Sequence, residues 1–324
     1  GLFPVIKALP RIRRWFDRAL ALLDTRRPDA LVLVDYPGFN LRLAQRARDR
    51  GVPVIYYISP QVWAWNTRRV RRIARDVDLM IPILPFEVDF YREHAVPVFY
   101  PGHPVVDHLA SVRVAPEERD RLAATGAPRI AVFPGSRPHV VDSLAPVFAE
   151  AVGHLRTRPA FAGARYLVAA TDTAMAERIL RHEAFRASDC LVAPDRTYEI
   201  MRSSDVALTT SGTTTIELAA EGLPMVIGYR VSAPLYAIGK AVVKVPHIGL
   251  VNLIAGRGIV PEHVGTRGLA AGLARDIATL IENPDRRNAQ LEALAEVRRR
   301  LDEPGSYDRT AARILAFARE RKAR

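Results

Sequence analysis

The sequence predicts an α/β protein with two doubly wound domains, and three features carry that expectation. Short runs rich in Val, Leu and Ile alternate with amphipathic helical stretches, the pattern of parallel strands covered on both faces. The alternation breaks over 101–128 and restarts with a fresh strand after TGAPRIAVF. Small-residue turns stand at several strand ends, where open α/β sheets form their ligand crevices. Taken in order, strands are expected at 31–35, 54–59 and 79–83, then at 129–133, 166–170, 190–192, 206–209 and 225–228. Helical patterns lie between them at 41–50, 68–75, 141–155, 174–186 and 214–221. The boundary is placed near residue 110. This gives a first domain at 1–110 and a second at 111–324, the latter including a charged helical tail from about residue 266. A doubly wound domain opens with a strand and a glycine-rich turn. This chain opens on a helix-like segment, so the first domain is expected to be incomplete at its start.

Composition narrows the function classes. A chain of 324 residues with 49% hydrophobic content can bury two cores. One cysteine, Cys190, excludes a disulfide framework and points to a reducing compartment. No apolar run approaches the ~20 residues that span a bilayer. The opening GLFPVIKALPRIRRWF lacks the apolar core and cleavage site of a signal peptide. The net charge of +12 suits an anionic substrate or surface as well as a plain compositional preference for Arg, and charge alone does not choose. No aromatic–basic strand motif of the known modules is present, so nucleic acid is not an expected partner. The histidines and acids show no metal-ligand spacing, so no metal and no cofactor are expected.

Five segments carry chemistry. FPGSR (133–137) follows a strand and precedes a helix; Ser136 and Arg137 offer a phosphate site there, or an ordinary turn with a surface arginine. DVALTTSGTTTIELAAEGLPMVIGYR (205–230) is the most informative. Ser211, Gly212, Thr213 and Thr214 place small residues and free amides at a helix start, which suits a diphosphate. Glu217, a turn further on, is placed to bind ribose hydroxyls, unless it serves only as part of a capping arrangement. VDYPGFN (34–40) puts Asp35 at a strand's carboxyl end, as a general base or as the cap of the next helix. YPGHPVVDH (100–108) sets Gly102 and His103 at the domain junction, as a hinge facing a cleft or as a structural turn. In YYISPQVWAWNTRRVRR (56–72), Trp63 and Trp65 precede Arg68, Arg69, Arg71 and Arg72. This stretch is either an apolar edge and basic helix for a lipid surface, or core filling beside a solvated helix face.

Together these motifs resemble the lipid-A-disaccharide synthase family. YISPQVWAW, LPFE (84–87), PGHPVVD, PGSR, SGTTTIE with GLPMVIGYR, and VNLIAGRGIVPE (251–262) stand in that family's order, from Gly1 to about residue 265. The resemblance implies two Rossmann-like domains facing a cleft, the GT-B type, and an inverting, metal-independent transferase. It implies a UDP-sugar donor, UDP-2,3-diacylglucosamine, and a lipid monosaccharide acceptor, 2,3-diacylglucosamine 1-phosphate. The products would be a β-1,6-linked disaccharide 1-phosphate and UDP. Asp35 falls on the family's base position. Arg137, Ser211, Gly212, Thr213 and Glu217 fall on the donor-nucleotide positions; Gly228, Tyr229, Arg230 and Asn252 fall near the cleft, with Arg230 and Asn252 expected, like Ser136 and Thr214, to contact the donor. The resemblance further implies work at the cytoplasmic face of a Gram-negative inner membrane, and it allows a homodimer through the second domain. Two features depart from the pattern: the family's opening strand and glycine-rich turn are missing, and the acid that usually follows Gly-Ser-Arg is replaced by Val140, with Asp142 two residues on. Another UDP-sugar transferase, a UDP-N-acetylglucosamine 2-epimerase and a non-catalytic UDP binder remain as alternatives.

Overall fold

In this computed structural model, residues 2–123, 126–234, 236 and 245–322 are described, those at 2–8, 65, 118–120 and 123 by their backbone alone. Gly1–Asp107 together with Asp302–Arg324 form one compact unit, and His108–Leu301 form the other.

The first unit holds three parallel strands, β1 (Leu31–Val34), β2 (Val54–Tyr57) and β3 (Leu79–Ile81), in that order. Its helices are α1 (Leu2–Arg26), α2 (Pro37–Arg48), α3 (Val62–Trp65), α4 (Val70–Asp76), α5 (Glu87–Glu93) and α6 (Pro104–Ser111), which runs into the second unit. Side chains alternate across a strand, so neighbouring residues serve opposite faces. On one face Leu33, Val54, Tyr56 and Met80 pack with Leu41 and Ala44 of α2, Val70 and Ile73 of α4, and partly buried Phe16 and Leu20 of α1. On the other face Ile55, Leu79 and Ile81 pack with Phe317 and Ile314 of the C-terminal helix (Ser306–Lys322). The sequence assigns this helix to the second domain. The structure corrects that: its apolar stripe covers the first sheet, where burying one phenylalanine contributes about 2–3 kcal/mol.

Asp107 holds that helix at its start. Its carboxylate accepts from the amides of Gly305 and Ser306, and from the Ser306 hydroxyl. Burial alone would raise the Asp107 carboxyl, but these hydrogen bonds outweigh it and hold the group below its ordinary 3.8. A depressed carboxylate contributes stability above its unfolded value and loses it as pH falls through the folded one. Asp107→Ala is therefore expected to loosen the C-terminal helix by about 1–2 kcal/mol at pH 7. The deficit should vanish as pH falls below 3.8. Amide exchange across 306–322 reads this directly.

The second unit is a six-stranded parallel sheet. Its strands are β4 (Arg129–Phe133), β5 (Arg165–Ala170), β6 (Cys190–Pro194), β7 (Val206–Thr210), β8 (Met225–Arg230) and β9 (Glu262–Gly265). The order β6-β5-β4-β7-β8-β9 winds outward in both directions from the β4–β7 pair. This is the doubly wound arrangement, with its reversal point between β4 and β7. Among its helices are α7 (Pro116–Ala123), α8 (Pro138–Arg156), α9 (Thr173–Ile179), α10 (Thr197–Ser203) and α11 (Thr214–Glu221). Ile130, Val168, Leu208 and Val226 of the sheet meet Leu144 and Phe148 of α8, and Leu273 of the helix Ala270–Glu282. Gly228 belongs to this packing rather than to a ligand crevice: a Cβ there would lie 2.7 Å from the Phe148 ring.

Candidate active site

The first unit gathers a site at the carboxyl ends of its three strands. Each strand ends earlier than the sequence suggests, and the residues that leave the sheet build the walls. A cavity of about 300 Å³ is lined by Asp35, Ile58, Ser59, Arg69, Ile83 and Glu87, among others. Three non-glycine residues at its edge take left-handed backbone angles: Asp35 at φ 47°, Tyr36 at 43° and Ile58 at 59°. For a β-branched residue such as Ile58 this is strained, and such strain persists only where the surroundings impose it. Here they do. The Asp35 carbonyl accepts from Asn40 Nδ2 at 2.7 Å and from the Tyr56 hydroxyl at 2.6 Å. Both of those side chains are buried, Tyr56 completely. The Asp35 carboxylate itself is exposed.

Beneath lies Glu87, 1% exposed. It accepts from Trp63 Nε1 at 2.8 Å and from the Leu84 amide at 3.2 Å. Burial raises this carboxyl to about 7, against the pull of Ser59, Trp63 and Leu84. Motif reading missed Glu87 and Ser59 as site residues, although LPFE and ISP both mark the ends of strand-like runs. Alongside, an apolar groove of about 670 Å³ runs between α1 and α2, lined by Leu9, Ile12, Phe16, Tyr36 and Phe39. The i, i+3, i+7 spacing of Leu9, Ile12 and Phe16 was the available signal for it.

The expected lipid-facing set is only partly as read. Trp63 turns its N–H inward to Glu87 and packs edge-on against Phe86, so it is a structural residue of the cavity. The side chain of Trp65 lies outside the described residues. Arg72 is tied to Gln45 and stands 3.7 Å from the buried Asp76 carboxylate, so its charge is partly spent within the fold. Arg68 is exposed, while Arg69 lines the cavity. Among the apolar residues that do reach solvent, three are on α1: Leu9, Trp15 and Leu22 are each at least half exposed, beside Arg11, Arg14 and Arg18. His103 is 6% exposed, its Nδ1 accepts from the Val105 amide, and burial lowers it to about 4, so the ring is neutral. With Gly102 at φ 92°, it forms the turn that starts α6.

The second unit brings its two expected turns together. Phe133 pairs with Thr209 across β4 and β7, so FPGSR and SGTT leave the sheet side by side at the reversal point. Gly135, at φ 120°, lets the first turn pass beneath Val140; a Cβ would lie 2.7 Å from that side chain. Ser136 and Arg137 are exposed. At the second turn Thr213 precedes α11 without a side-chain cap, and its side chain is exposed while Gly212 and Thr214 are half-buried. The Thr215 and Ile216 amides already donate to the Gly212 and Thr213 carbonyls, so an anion at this helix start would meet the amides just before them. Ser211 donates to the Ile248 carbonyl at 2.9 Å, which fixes the turn from behind. Glu217 accepts from the Tyr198 hydroxyl, which in turn accepts from His108 Nε2 at 2.7 Å. Burial raises the Glu217 carboxyl, and the Tyr198 bond opposes it. Arg230 is exposed and donates to the Thr266 carbonyl beside a pocket with Asp142, Ser143 and Arg267. The Asp142 charge is met by Arg178 at 2.8 Å.

Asn252 is corrected from ligand to scaffold. It is fully buried, and all its hydrogen-bonding capacity is used inside the fold. Nδ2 donates to the Val260 carbonyl and Glu262, and Oδ1 accepts from the amides of Ile259 and Val260. Glu262 then accepts from the amides of Ile248 and Gly249. A continuous polar chain therefore runs from Asn252 to Ser211.

The model of the lipid-A-disaccharide synthetase family matches residues 1–315. The chain belongs to that family. It is accordingly a glycosyltransferase. The lipid-A-disaccharide synthase of Geobacter metallireducens is 38% identical over 321 residues, which are 97% of this chain and 82% of that one. That of Anaeromyxobacter dehalogenans strain 2CP-1 is 40% identical over 327 residues, 98% of this chain and 83% of the other. Among solved structures, a UDP-GlcNAc 2-epimerase from Neisseria meningitidis bound to UDP-GlcNAc matches with a TM-score of 0.62 at 12% identity, over 94% of this chain and 81% of that one. Phytolacca americana UGT2, complexed with UDP-2-fluoro-glucose and pterostilbene, matches with a TM-score of 0.56 at 14% identity, over 97% and 78%. At these identities the likeness concerns the fold alone, and it bears out the expected GT-B class of two Rossmann-like domains.

Proposed function

We propose that this chain transfers the diacylglucosaminyl group of UDP-2,3-diacylglucosamine to the 6-hydroxyl of 2,3-diacylglucosamine 1-phosphate. The products are a β-1,6-linked disaccharide 1-phosphate and UDP. The observation that carries the reading is the Asp35 carboxylate, exposed at a strand end on backbone that Asn40 and Tyr56 hold in a left-handed conformation. Such a group is a general base built at a cost in strain. It takes the proton of the acceptor hydroxyl as that oxygen attacks the anomeric carbon from the face opposite UDP. The apolar groove beside Tyr36 suits an acyl chain of the acceptor. In the second unit, the open start of α11 and the exposed Arg137 stabilise the charge that develops on the departing diphosphate. Glu217 is assigned to the ribose hydroxyls, and Arg230 to the donor's sugar-phosphate region.

No helix among the described residues is long and apolar enough to cross a membrane. The acyl substrates reside in a bilayer, so the protein works at the inner membrane's cytoplasmic surface. The exposed apolar residues of α1, flanked by arginines, support contact with anionic lipid, at about 1 kcal/mol per basic residue near such a surface. The test is incubation with the acceptor and either UDP-2,3-diacylglucosamine or UDP-N-acetylglucosamine. Mass spectrometry is expected to find disaccharide 1-phosphate and UDP only with the acylated donor. An epimerised UDP-sugar instead of disaccharide would sink the reading.

A further inference from the structure

At the floor of the Asp35 cavity, one polar group is left over. Ser59 is 5% exposed, and its hydroxyl oxygen has no hydrogen-bond partner. It lies near enough to the Glu87 carboxylate to favour that group's charged form, but without hydrogen-bond geometry. Both Glu87 oxygens are otherwise engaged, by Trp63 and by Leu84. Buried hydroxyls without partners are rare in folded proteins, because each forfeits its bonds to water. The backbone around Ser59 is held from both sides. Ile58 donates its amide to the Ile81 carbonyl while strained at φ 59°, and the Pro60 carbonyl accepts from the buried Tyr91 hydroxyl at 3.0 Å. Ser59 thus stands in the cavity wall, with its hydroxyl turned in beside Glu87 and Tyr91 and its bonding unmet.

The chemistry of the proposed acceptor says what meets it. Position 1 of that sugar carries phosphate, and positions 2 and 3 carry acyl groups. Only the 4- and 6-hydroxyls are free. The 6-hydroxyl is the nucleophile and belongs to Asp35. We propose that Ser59 binds the acceptor's 4-hydroxyl, the one hydroxyl of that sugar that does not react, with Glu87 as the positioning residue behind it. On binding, a small turn of the Ser59 side chain brings its hydroxyl to the cavity, where it accepts from the 4-hydroxyl while its O–H donates toward Glu87. The ring is thereby oriented about C5, and the 6-hydroxyl is presented to Asp35. This inference rests on the reaction proposed above.

The test compares wild type and Ser59→Ala on the intact acceptor and on its 4-deoxy analogue. Wild type should lose about tenfold in kcat/KM on the deoxy acceptor, the loss of one hydrogen bond to a hydroxyl. Ser59→Ala should lose about tenfold on the intact acceptor and no longer distinguish the two, with the KM for UDP-sugar unchanged. Its Tm should be unchanged or higher, because the deleted hydroxyl was unpaired. Glu87→Gln should weaken the same discrimination without contacting the sugar. Equal use of both acceptors by wild type overturns the subsite, and that arm requires no variant. A Ser59→Ala protein that keeps the full wild-type preference overturns it as well. If wild type forms no disaccharide from the intact acceptor, the reaction itself is wrong, and this control reports that before any variant is compared.

Discussion

Asp35→Asn lowers disaccharide formation by about 10²–10⁴-fold while leaving UDP affinity and Tm near wild type. The magnitude is that of removing a positioned general base. The expectation of an intact fold follows from the site: the Asp35 carboxylate is exposed and makes no buried contact, while the backbone beneath it is held through its carbonyl by Asn40 and Tyr56. Asparagine also tolerates the left-handed angle at this position. Single-turnover assays with labelled donor, alongside calorimetry with UDP, separate the two effects. Full turnover by Asp35→Asn would remove the base from residue 35.

The second large effect is expected far from the chemistry. Asn252→Ala removes four buried hydrogen bonds and leaves the Ile259 and Val260 amides without partners. A loss of about 3 kcal/mol or more follows. For a unit of this size that corresponds to a fall of roughly 6–12 °C in Tm. Because Glu262 also holds the Ile248 and Gly249 amides, and the Ile248 carbonyl holds Ser211, the nucleotide turn should slacken too. UDP affinity should fall with stability, although Asn252 touches no nucleotide. Thermal unfolding with and without UDP reads both, and an unchanged Tm would reduce Asn252 to a bystander.

How much of this was legible in the sequence differs by element. The β4, β7 and α11 elements were plain, because buried strands flanked by small-residue turns have few other readings. β9 was missed: it is a four-residue edge strand, half-buried throughout, with no apolar run to announce it. The ends of β1 and β2 were drawn too long because residues 35 and 58 to 59 follow apolar runs without a break, and that of β3 because Ile83 resumes its run past Pro82. Nothing local shows that Asp35 and Ile58 adopt positive φ; that is imposed by Tyr57, Asn40 and Ile81 across the sheet. Asp35 itself was found by its place at a strand end. The inward turn of Trp63 was hidden because its partner, Glu87, lies 24 residues away. Asn252 was misread for the same reason: a buried asparagine and a ligand asparagine look alike until the surrounding amides are in place.

The C-terminal helix that covers Ile55, Leu79 and Ile81 leaves the ribosome after every strand of the sheet it covers. During synthesis that apolar face has no lid, whereas residues 108–301 carry all the parts of their own core. Closure of the first unit therefore waits on a segment made some two hundred residues after Asp107. A chain cut after residue 301 would keep the whole of its second unit and leave Ile55, Leu79 and Ile81 of the first uncovered.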